Sequence, residues 1–345
     1  MYKHILRPIL FWFSPESIHH FVAGMLRFAC KVPGGRAILR AMFACKDKSL
    51  EREVFGIKFP NPVGLAAGFD KNGGLTREME SLGFGFVEVG TVTPKGQPGN
   101  PKPRSFRLRQ DEALVNRMGF NNKGLENMVE NLRKRKGRVV VGANLGKNTL
   151  TPNEDAPGDY LKLFRSLYEY ADYFAINVSC PNVKSLTALQ NRESVMAILD
   201  PLFDFRRGQN DYRPILLKIS PDLSDADIDT MVDIMIETPL DGIIATNTTT
   251  SREGLATPQK TIEAIGNGGL SGSPLTERAI EVVKRVYERS EGRYPIIGVG
   301  GIMTPDDALR MLDAGASLVQ VYTGFIYNGP GFVRKICKRI RNRQE

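Results

Sequence analysis

The spacing of apolar residues divides the chain into a short helical segment and a longer body. Apolar residues recur every three or four positions in 5–13 and again in 18–26, which predicts two amphipathic helices. Between them, Ser14-Pro15-Glu16 supplies an N-cap, a proline at the first helical position and an acid in the first turn. We therefore expect a helical segment at 1–48 and a separate, larger domain at 49–345.

The hydrophobic pattern changes after residue 60, where short apolar runs alternate with longer stretches of helical periodicity. The runs are continuous rather than alternating, as expected of parallel strands that are covered on both faces. They lie near residues 61–67, 84–92, 139–145, 173–179, 215–219, 242–247, 295–299 and 318–323. Eight successive βα units predict an α/β fold, a closed (β/α)8 TIM barrel with a small α-helical extension at its N-terminus.

The positive charge is concentrated at the two ends of the chain. The net charge is +9, of which residues 1–48 contribute +6 and residues 331–345 contribute +5, so the body is close to neutral. A near-neutral body does not suit a nucleic-acid surface, and no nucleic-acid partner is expected. Basic ends are equally consistent with solubility and with attraction to an anionic membrane surface.

Cysteine spacing and the length of the apolar runs argue against disulfides, a metal site and a transmembrane helix. The cysteines at 30, 45, 180 and 337 form neither a close pair nor a Cys/His ligand spacing, so neither a disulfide framework nor a metal site is expected. The N-terminal apolar stretch is far shorter than the ~20 residues that span a bilayer. The N-terminal helices therefore either pack on the main domain or lie on a membrane surface, with Phe11-Trp12-Phe13 in the lipid interface.

Polar residues stand where the predicted strands end. These ends lie at the carboxyl side of a barrel, where the active sites of this fold are built. The residues are Asp70, Lys71, Thr91, Asn144, Asn177, Lys218, Thr246, Asn247, Gly300, Gly301, Tyr322 and Thr323. Polarity at a single strand end is common, but its repetition after every run predicts a functional site.

The last two strand ends are typical of a phosphate site. Glycines in residues 298–301 and 322–324 let backbone N–H groups approach an anion. The sequence has no G-x-G-x-x-G dinucleotide pattern, which favours a mononucleotide such as FMN. Lys218 interrupts an apolar run, so it is either a buried ion-pair partner or a cation beside the flavin N1/O2 region; we favour the second.

Two polar loops contain the clearest candidates for substrate binding and catalysis. Asn177 and Asn182 flank Cys180, so amides can bind a planar ring while the thiol acts as general base. The alternative for Cys180 is a small residue packed in a turn. Residues 116–122 lie in the long loop after the second strand and can close over a flat polar substrate, since long loops inside a compact barrel are usually functional.

These motifs together resemble the dihydroorotate dehydrogenases. The resemblance runs in order from residue 61 to residue 325, and its joint specificity is high. The matching stretches are 61–73, 106–108, 116–122, 177–182, 218–223, 246–249, 268–272 and 298–302. The N-terminal segment, with Ser14-Pro15-Glu16 and His19, resembles the helical extension of the membrane-associated, quinone-linked class.

The resemblance implies an FMN oxidoreductase of de novo pyrimidine (UMP) biosynthesis that converts (S)-dihydroorotate into orotate. FMN would contact Ala66, Ala67, Gly68, Phe69, Asp70, Thr91, Asn144, Asn177, Lys218, Thr246, Gly272, Gly300, Gly301, Tyr322 and Thr323. Dihydroorotate would contact Lys71, Asn116, Arg117, Met118, Gly119, Phe120, Asn177, Asn182, Asn247 and Thr248. Cys180 would be the catalytic base, and a quinone would approach His19, Arg107 and Tyr322 between the N-terminal helices.

One position departs from the pattern of the quinone-linked class. That class normally has serine where this chain has Cys180, and cysteine is typical of the soluble class, which uses fumarate or NAD as acceptor. The helical extension would have little purpose in a soluble enzyme, whereas either residue can act as base, so we expect a quinone acceptor. The alternatives are the soluble class and a non-enzymatic barrel that only binds a phosphorylated metabolite.

The expected setting is the cytoplasmic face of the cell membrane, where the protein is held peripherally without a transmembrane helix. The expected partners are dihydroorotate and orotate, a membrane quinone and the anionic lipid surface. No obligate protein partner is expected.

Overall fold

The N-terminal segment forms helices that pack against the main domain. The computed structural model describes residues 2–135, 137–179 and 189–344. After a wide helical turn at Tyr2–Leu6 come α1 (Arg7–Leu10), α2 (Pro15–Lys31) and α3 (Gly35–Phe43). The Ser14 Oγ accepts a hydrogen bond from the Ser17 N–H at 3.2 Å, which confirms the predicted N-cap of α2.

A short antiparallel hairpin closes the amino-terminal end of the barrel. It pairs β1 (Arg52–Val54) with β2 (Ile57–Phe59). Phe59 packs edge-to-face on Phe86 inside the barrel, with ring centroids 5.2 Å apart. Because the first barrel strand begins only four residues after Phe59, the hairpin fills the end of the barrel opposite the strands' carboxyl ends.

The predicted eight-stranded parallel barrel is confirmed. The strands after the hairpin are β3 (Val63–Leu65), β4 (Phe86–Val92), β5 (Lys95–Gln97), β6 (Ser105–Leu108), β7 (Ala113–Asn116), β8 (Asn122–Gly124), β9 (Val140–Leu145), β10 (Tyr173–Asn177), β11 (Ile215–Ile219), β12 (Gly242–Ala245), β13 (Gly269–Gly272), β14 (Ile296–Val299) and β15 (Leu318–Val321). The order around the barrel is β3-β4-β9-β10-β11-β12-β14-β15, and β15 pairs with β3. Each barrel strand lies within the apolar run that predicts it.

Amphipathic helices cover the outside of the barrel. They are α4 (Thr76–Ser81), α5 (Leu125–Arg133), α6 (Ala156–Leu167), α7 (Arg192–Arg207), α8 (Asp225–Glu237), α9 (Gln259–Ile265), α10 (Thr276–Arg289), α11 (Pro305–Asp313), α12 (Thr323–Asn328) and α13 (Phe332–Gln344). In α10, Ala279, Val282, Val283 and Val286 are buried at helical spacing. The main core therefore lies between strands and helices, and a second, smaller core fills the barrel interior.

The remaining strands build a rim over the carboxyl ends of the barrel strands. β5 pairs with β8, and β7 lies between β6 and β13 in a three-stranded antiparallel sheet. The segment expected as one long loop after the second barrel strand therefore carries four strands of these sheets, β5 to β8. Residues 116–122 connect β7 to β8 and are held by both sheets at the barrel mouth.

Candidate active site

The barrel strands open at their carboxyl ends into a cavity of about 830 Å³. Its wall continues from the strand ends to apolar residues of α2 and α3, including Val22, Leu26 and Phe43. The predicted site residues that line it are His19, Ala66, Ala67, Gly68, Phe69, Asp70, Lys71, Thr91, Arg107, Asn116, Met118, Gly119, Phe120, Asn177, Lys218, Thr246, Asn247, Thr248, Gly272, Gly300, Gly301, Tyr322 and Thr323. The fold therefore brings most of the flavin, substrate and quinone residues expected from the sequence to one cavity.

Two predicted site residues do not line the cavity, and two others, Cys180 and Asn182, lie outside the described residues. Asn144 is fully buried beneath the lining. Arg117 turns its guanidinium away and donates to the backbone carbonyls of Pro103, at 3.1 Å, and Ile265. The expected substrate contact of Arg117 is therefore corrected, because its side chain fastens neighbouring loops.

A carboxylate that sequence analysis missed lies inside the barrel. Glu88 on β4 is fully buried, and its Oε1 accepts from Lys218 Nζ at 3.1 Å and from Asn144 Nδ2 at 2.8 Å. Its Oε2 accepts from Gln320 Nε2 at 2.7 Å and from the Tyr173 hydroxyl at 3.4 Å. Burial and the adjacent Glu88 raise the pKa of Tyr173, which keeps its hydroxyl a donor.

The Glu88 contact shows one of the two roles that the place of Lys218 in an apolar run left open, and its role beside the flavin stays a prediction. Lys218 is a buried ion-pair partner, as the Glu88 contact shows, and its side chain also lines the cavity. The sequence did contain a signal for its partner. An acidic residue inside the apolar run at 84–92 needs a cation or several donors once it is buried.

A network of hydroxyl and amide groups fixes the side chains at four strand ends. Thr91 Oγ1 donates to Asn144 Oδ1 at 2.5 Å, and Asn177 Nδ2 lies 3.1 Å from both of these oxygens. Asn247 Nδ2 donates to Asn177 Oδ1 at 3.3 Å and to Ser179 Oγ at 3.0 Å. Because these bonds set which way each amide points, the site offers planar ligands a fixed pattern of donors and acceptors.

Close backbone packing shapes the expected phosphate end of the cavity. Gly301 has a φ of +67°, and a Cβ there would lie 2.2 Å from the Thr276 Cα, so only glycine fits. On the facing loop, the Thr323 hydroxyl lies 2.8 Å from the Ser271 hydroxyl. Backbone and hydroxyl groups thus line this end, as suits an anion.

Two observations fit a planar, phosphorylated cofactor such as FMN. Gln320 Oε1 is buried and has no hydrogen-bond partner among the described residues, so it offers an acceptor to a ring N–H. Gly68 lines the same cavity with a φ of +95°, a conformation that favours glycine, so this residue presents only backbone atoms to a ligand. The residues present therefore fit the cofactor that the sequence predicts.

Asp70 and Lys71 follow the first barrel strand but serve different purposes. The Asp70 carboxylate accepts from the N–H groups of Gly74, at 2.9 Å, and Leu75, at 2.7 Å, so it shapes the turn before α4 and leaves its backbone for a cofactor. Lys71 Nζ donates to the Gly68 carbonyl at 2.9 Å. Burial lowers the pKa of Lys71 to about 8, so its ammonium charge is sensitive to pH in the working range.

Aromatic rings line the passage between the strand ends and α2. The His19 ring packs edge-to-face on Phe69 with centroids 4.7 Å apart, and Phe69 packs on Tyr322 at 5.7 Å. Burial, followed by the nearby Lys71 cation, lowers the pKa of His19 to about 4, so this imidazole is neutral at pH 7. Burial raises the pKa of Tyr322 to about 12. The passage is therefore uncharged along these rings and suits an apolar ligand.

Arg107 stands at the edge of this passage. One of its terminal nitrogens donates to the Phe13 carbonyl at 2.7 Å, and the guanidinium lies 4.4 Å from the centre of the Phe11 ring. Its Nε is buried with no hydrogen-bond partner among the described residues. Arg107 also lines the cavity, so its contact with a quinone stays a prediction.

The fold and the site define a barrel oxidoreductase of the flavin-binding kind, with a helical extension beside its mouth. The family model of dihydroorotate dehydrogenase matches residues 49–343, and the chain belongs to this family. Its members are FMN flavoproteins, which agrees with the predicted cofactor. The family resemblance expected from the sequence is thereby confirmed.

Relatives match the chain over almost its whole length. It is 53% identical over 340 residues to the dihydroorotate dehydrogenase (quinone) of Christiangramia forsetii, covering 99% of this chain and 98% of that protein. It is 45% identical over 353 residues to the enzyme of the same name from Kineococcus radiotolerans, covering 100% and 96%. The crystal structure of the Eimeria tenella dihydroorotate dehydrogenase in complex with ferulenol superposes with a TM-score of 0.85 at 36% identity, covering 95% and 91%.

Proposed function

We propose that this protein oxidises (S)-dihydroorotate to orotate through FMN and passes the electrons to a quinone, as a step of pyrimidine biosynthesis. The observation that carries the proposal is the single cavity that joins the polar strand ends to the apolar passage beside His19. One flavin that serves a polar donor and an apolar acceptor needs a cavity with these two parts. The two bacterial relatives named above are both called dihydroorotate dehydrogenase (quinone), which agrees.

The proposed FMN site uses the glycine-rich end for the phosphate and the strand ends for the ring. Gly272, Gly300, Gly301 and Thr323 would hold the phosphate through backbone and hydroxyl groups. When bound, FMN supplies the acceptor for a hydride from the substrate. Lys218 would then place a positive charge beside a ring that gains negative charge on reduction.

The proposed substrate site lies on the polar side of the cavity. Lys71 would pair with the carboxylate of dihydroorotate, while the amides of Asn116, Asn177 and Asn247 would bind the ring. Asn182 would join these amides. Cys180 would remove the proton from C5 as the hydride leaves C6, which converts the C5–C6 single bond into the double bond of orotate.

Helices α1 to α3 would contact the cytoplasmic membrane surface and admit the quinone. These helices and the turns between them expose many large apolar side chains, among them Trp12 at 77% and Phe28 at 71% exposure. The full set is Ile5, Leu6, Ile9, Trp12, Phe13, Phe21, Val22, Met25, Phe28, Val32, Ile38 and Met42. Together with the net charge of +6 in 1–48, this surface favours peripheral binding to anionic lipid. Across the described ranges, each helix is too short or too polar to cross a bilayer.

Steady-state turnover with different electron acceptors tests the proposal. Dihydroorotate oxidation should proceed with ubiquinone or menaquinone in detergent or vesicles, and should be far slower with fumarate or NAD. Efficient turnover with fumarate or NAD, and none with quinones, would assign the chain to the soluble class instead.

A further inference from the structure

Helix α2 is fastened to the rim of the barrel mouth by one carboxylate. Glu16, in the first turn of α2, accepts from Arg104 Nη2 at 2.6 Å and from Arg104 Nε at 3.2 Å. The Lys102 ammonium lies 3.5 Å from the same carboxylate. Glu16 is 14% exposed and the Arg104 side chain 8%, so this two-point ion pair is largely withdrawn from water.

Arg104 is the last residue of the connection between β5 and β6, and its guanidinium also bonds to the backbone of that connection. Its Nη1 donates to the Pro98 carbonyl at 2.6 Å and to the Asn100 carbonyl at 2.9 Å. One planar guanidinium therefore spans from the N-terminal extension to this connection. Hydrogen bonding to Arg104 lowers the pKa of Glu16, which keeps it a carboxylate at neutral pH.

That connection in turn holds the segment that would close over the substrate. Asn100 Nδ2 donates to the Arg117 carbonyl at 3.0 Å, and the Asn100 N–H donates to the Met118 carbonyl at 3.1 Å. Gln97 Nε2 donates to the Gly119 carbonyl at 3.0 Å. The packing is close, because a Cβ at Gly119 would lie 2.7 Å from Asn100 Oδ1.

We propose that Glu16 of the N-terminal extension is a positioning residue for dihydroorotate binding, acting through Arg104 on residues 116–120. The inference rests on the proposed function, which places dihydroorotate against this segment. The extension then has a second task beside contact with the quinone, since it orders the substrate side of the same cavity. Loss of the Glu16 carboxylate frees Arg104 and loosens the segment, so ligand binding weakens while the reacting groups stay in place.

A second ion pair between the extension and the barrel provides a matched control. Glu80 of α4 lies 2.5 Å from Arg40 and 3.3 Å from Arg36, both on α3. It too is one carboxylate between two cations, and it is 18% exposed. Within the part of the chain that the structure describes, its ion pairs join it to α3, and none joins it to residues 116–120. Glu80→Gln therefore weakens docking of the extension to a similar degree without touching the substrate segment.

The experiment titrates orotate into FMN-loaded full-length protein and follows the flavin absorbance. Glu16→Gln should raise the orotate Kd about tenfold and the KM for dihydroorotate similarly. The limiting rate of flavin reduction at saturating dihydroorotate should stay within about twofold of wild type. Glu80→Gln should leave the orotate Kd unchanged.

Arg104→Lys gives an independent measurement within the barrel domain, and it decides the matter if Glu16→Gln does not fold. Lysine keeps the positive charge but lacks the branched guanidinium that bonds to Glu16 and to the backbone carbonyls of the β5–β6 connection at once. The orotate Kd of Arg104→Lys should therefore also rise about tenfold. In the double variant the two effects should not add, because both break one connection.

Two results would overturn the inference: an orotate Kd within twofold of wild type in these variants, or an equal rise in Glu80→Gln. Failure of the proposed function looks different, since the wild type itself would then neither bind orotate nor be reduced by dihydroorotate.

Discussion

Removing the Lys218 side chain tests the ion pair inside the barrel. Lys218 is 6% exposed and Glu88 is fully buried, so Lys218→Ala leaves a buried carboxylate without its cation. Breaking a buried pair in this way costs about 3–5 kcal/mol. Because Glu88 keeps the amide donors of Asn144 and Gln320, we expect a value near the lower end of that range.

The corresponding change in melting temperature follows from the length of the chain. An unfolding entropy of about 2.1 cal/mol/K per residue gives about 0.7 kcal/mol/K for 345 residues. A loss of about 3 kcal/mol therefore lowers Tm by about 4 °C. In Lys218→Ala/Glu88→Gln the buried charge is gone, so Tm should return most of the way to wild type.

Calorimetry on FMN-saturated protein measures the stability, and stopped-flow reduction by dihydroorotate measures the chemistry. Stability and the rate of flavin reduction should respond differently in the double variant. It regains stability, but it still lacks the Lys218 cation and should still reduce its flavin slowly. A Tm of Lys218→Ala equal to that of the wild type would refute the predicted cost of leaving Glu88 without its cation. A double variant that reduces its flavin at the wild-type rate would refute the role of Lys218 in the reaction.

Three further predictions concern the substrate side, the base and the membrane face. The kcat/KM for dihydroorotate should fall as pH rises through about 8, because Lys71 is cationic below that pH and loses its proton above it. A pH profile of Lys71→Met with the same fall would argue against this assignment. Cys180→Ala should keep the FMN spectrum and slow flavin reduction by roughly 10² to 10⁴, while Cys180→Ser should recover part of the rate at raised pH. Reduction of Cys180→Ala near the wild-type rate would remove Cys180 from the mechanism. Trp12→Ala should weaken co-sedimentation with anionic vesicles, since the indole is exposed on the apolar face of the extension. Unchanged co-sedimentation would leave the apolar face without a membrane role.

The barrel was predictable because its strands are covered on both faces and therefore appear as continuous apolar runs. The strands of the rim were not predicted. β5, at Lys95–Gln97, is short and polar, and its pairing with β8 depends on tertiary contacts that no local pattern records. Sequence spacing alone therefore described this region as one long loop.

The site was predictable to the extent that it lies at strand ends. Glu88 was missed because it sits inside an apolar run, and its ion-pair partner Lys218 lies 130 positions away in the sequence. Arg117 was assigned to the substrate by the family resemblance, whereas the direction of its side chain depends on the loops at Pro103 and Ile265 to which it donates. In the same way, the sequence treats the extension and residues 116–122 as separate features, and only the fold connects them through Glu16 and Arg104.

Anaerobic stopped-flow spectroscopy of the two half-reactions tests the central claim most directly. Dihydroorotate should bleach the oxidised flavin in a single turnover, and mixing the reduced protein with a quinone should restore the flavin absorbance quickly, while fumarate and NAD should not. Bleaching by dihydroorotate followed by reoxidation with fumarate or NAD but not with quinone would contradict the proposed acceptor. A flavin that dihydroorotate does not bleach at all would contradict the proposed reaction.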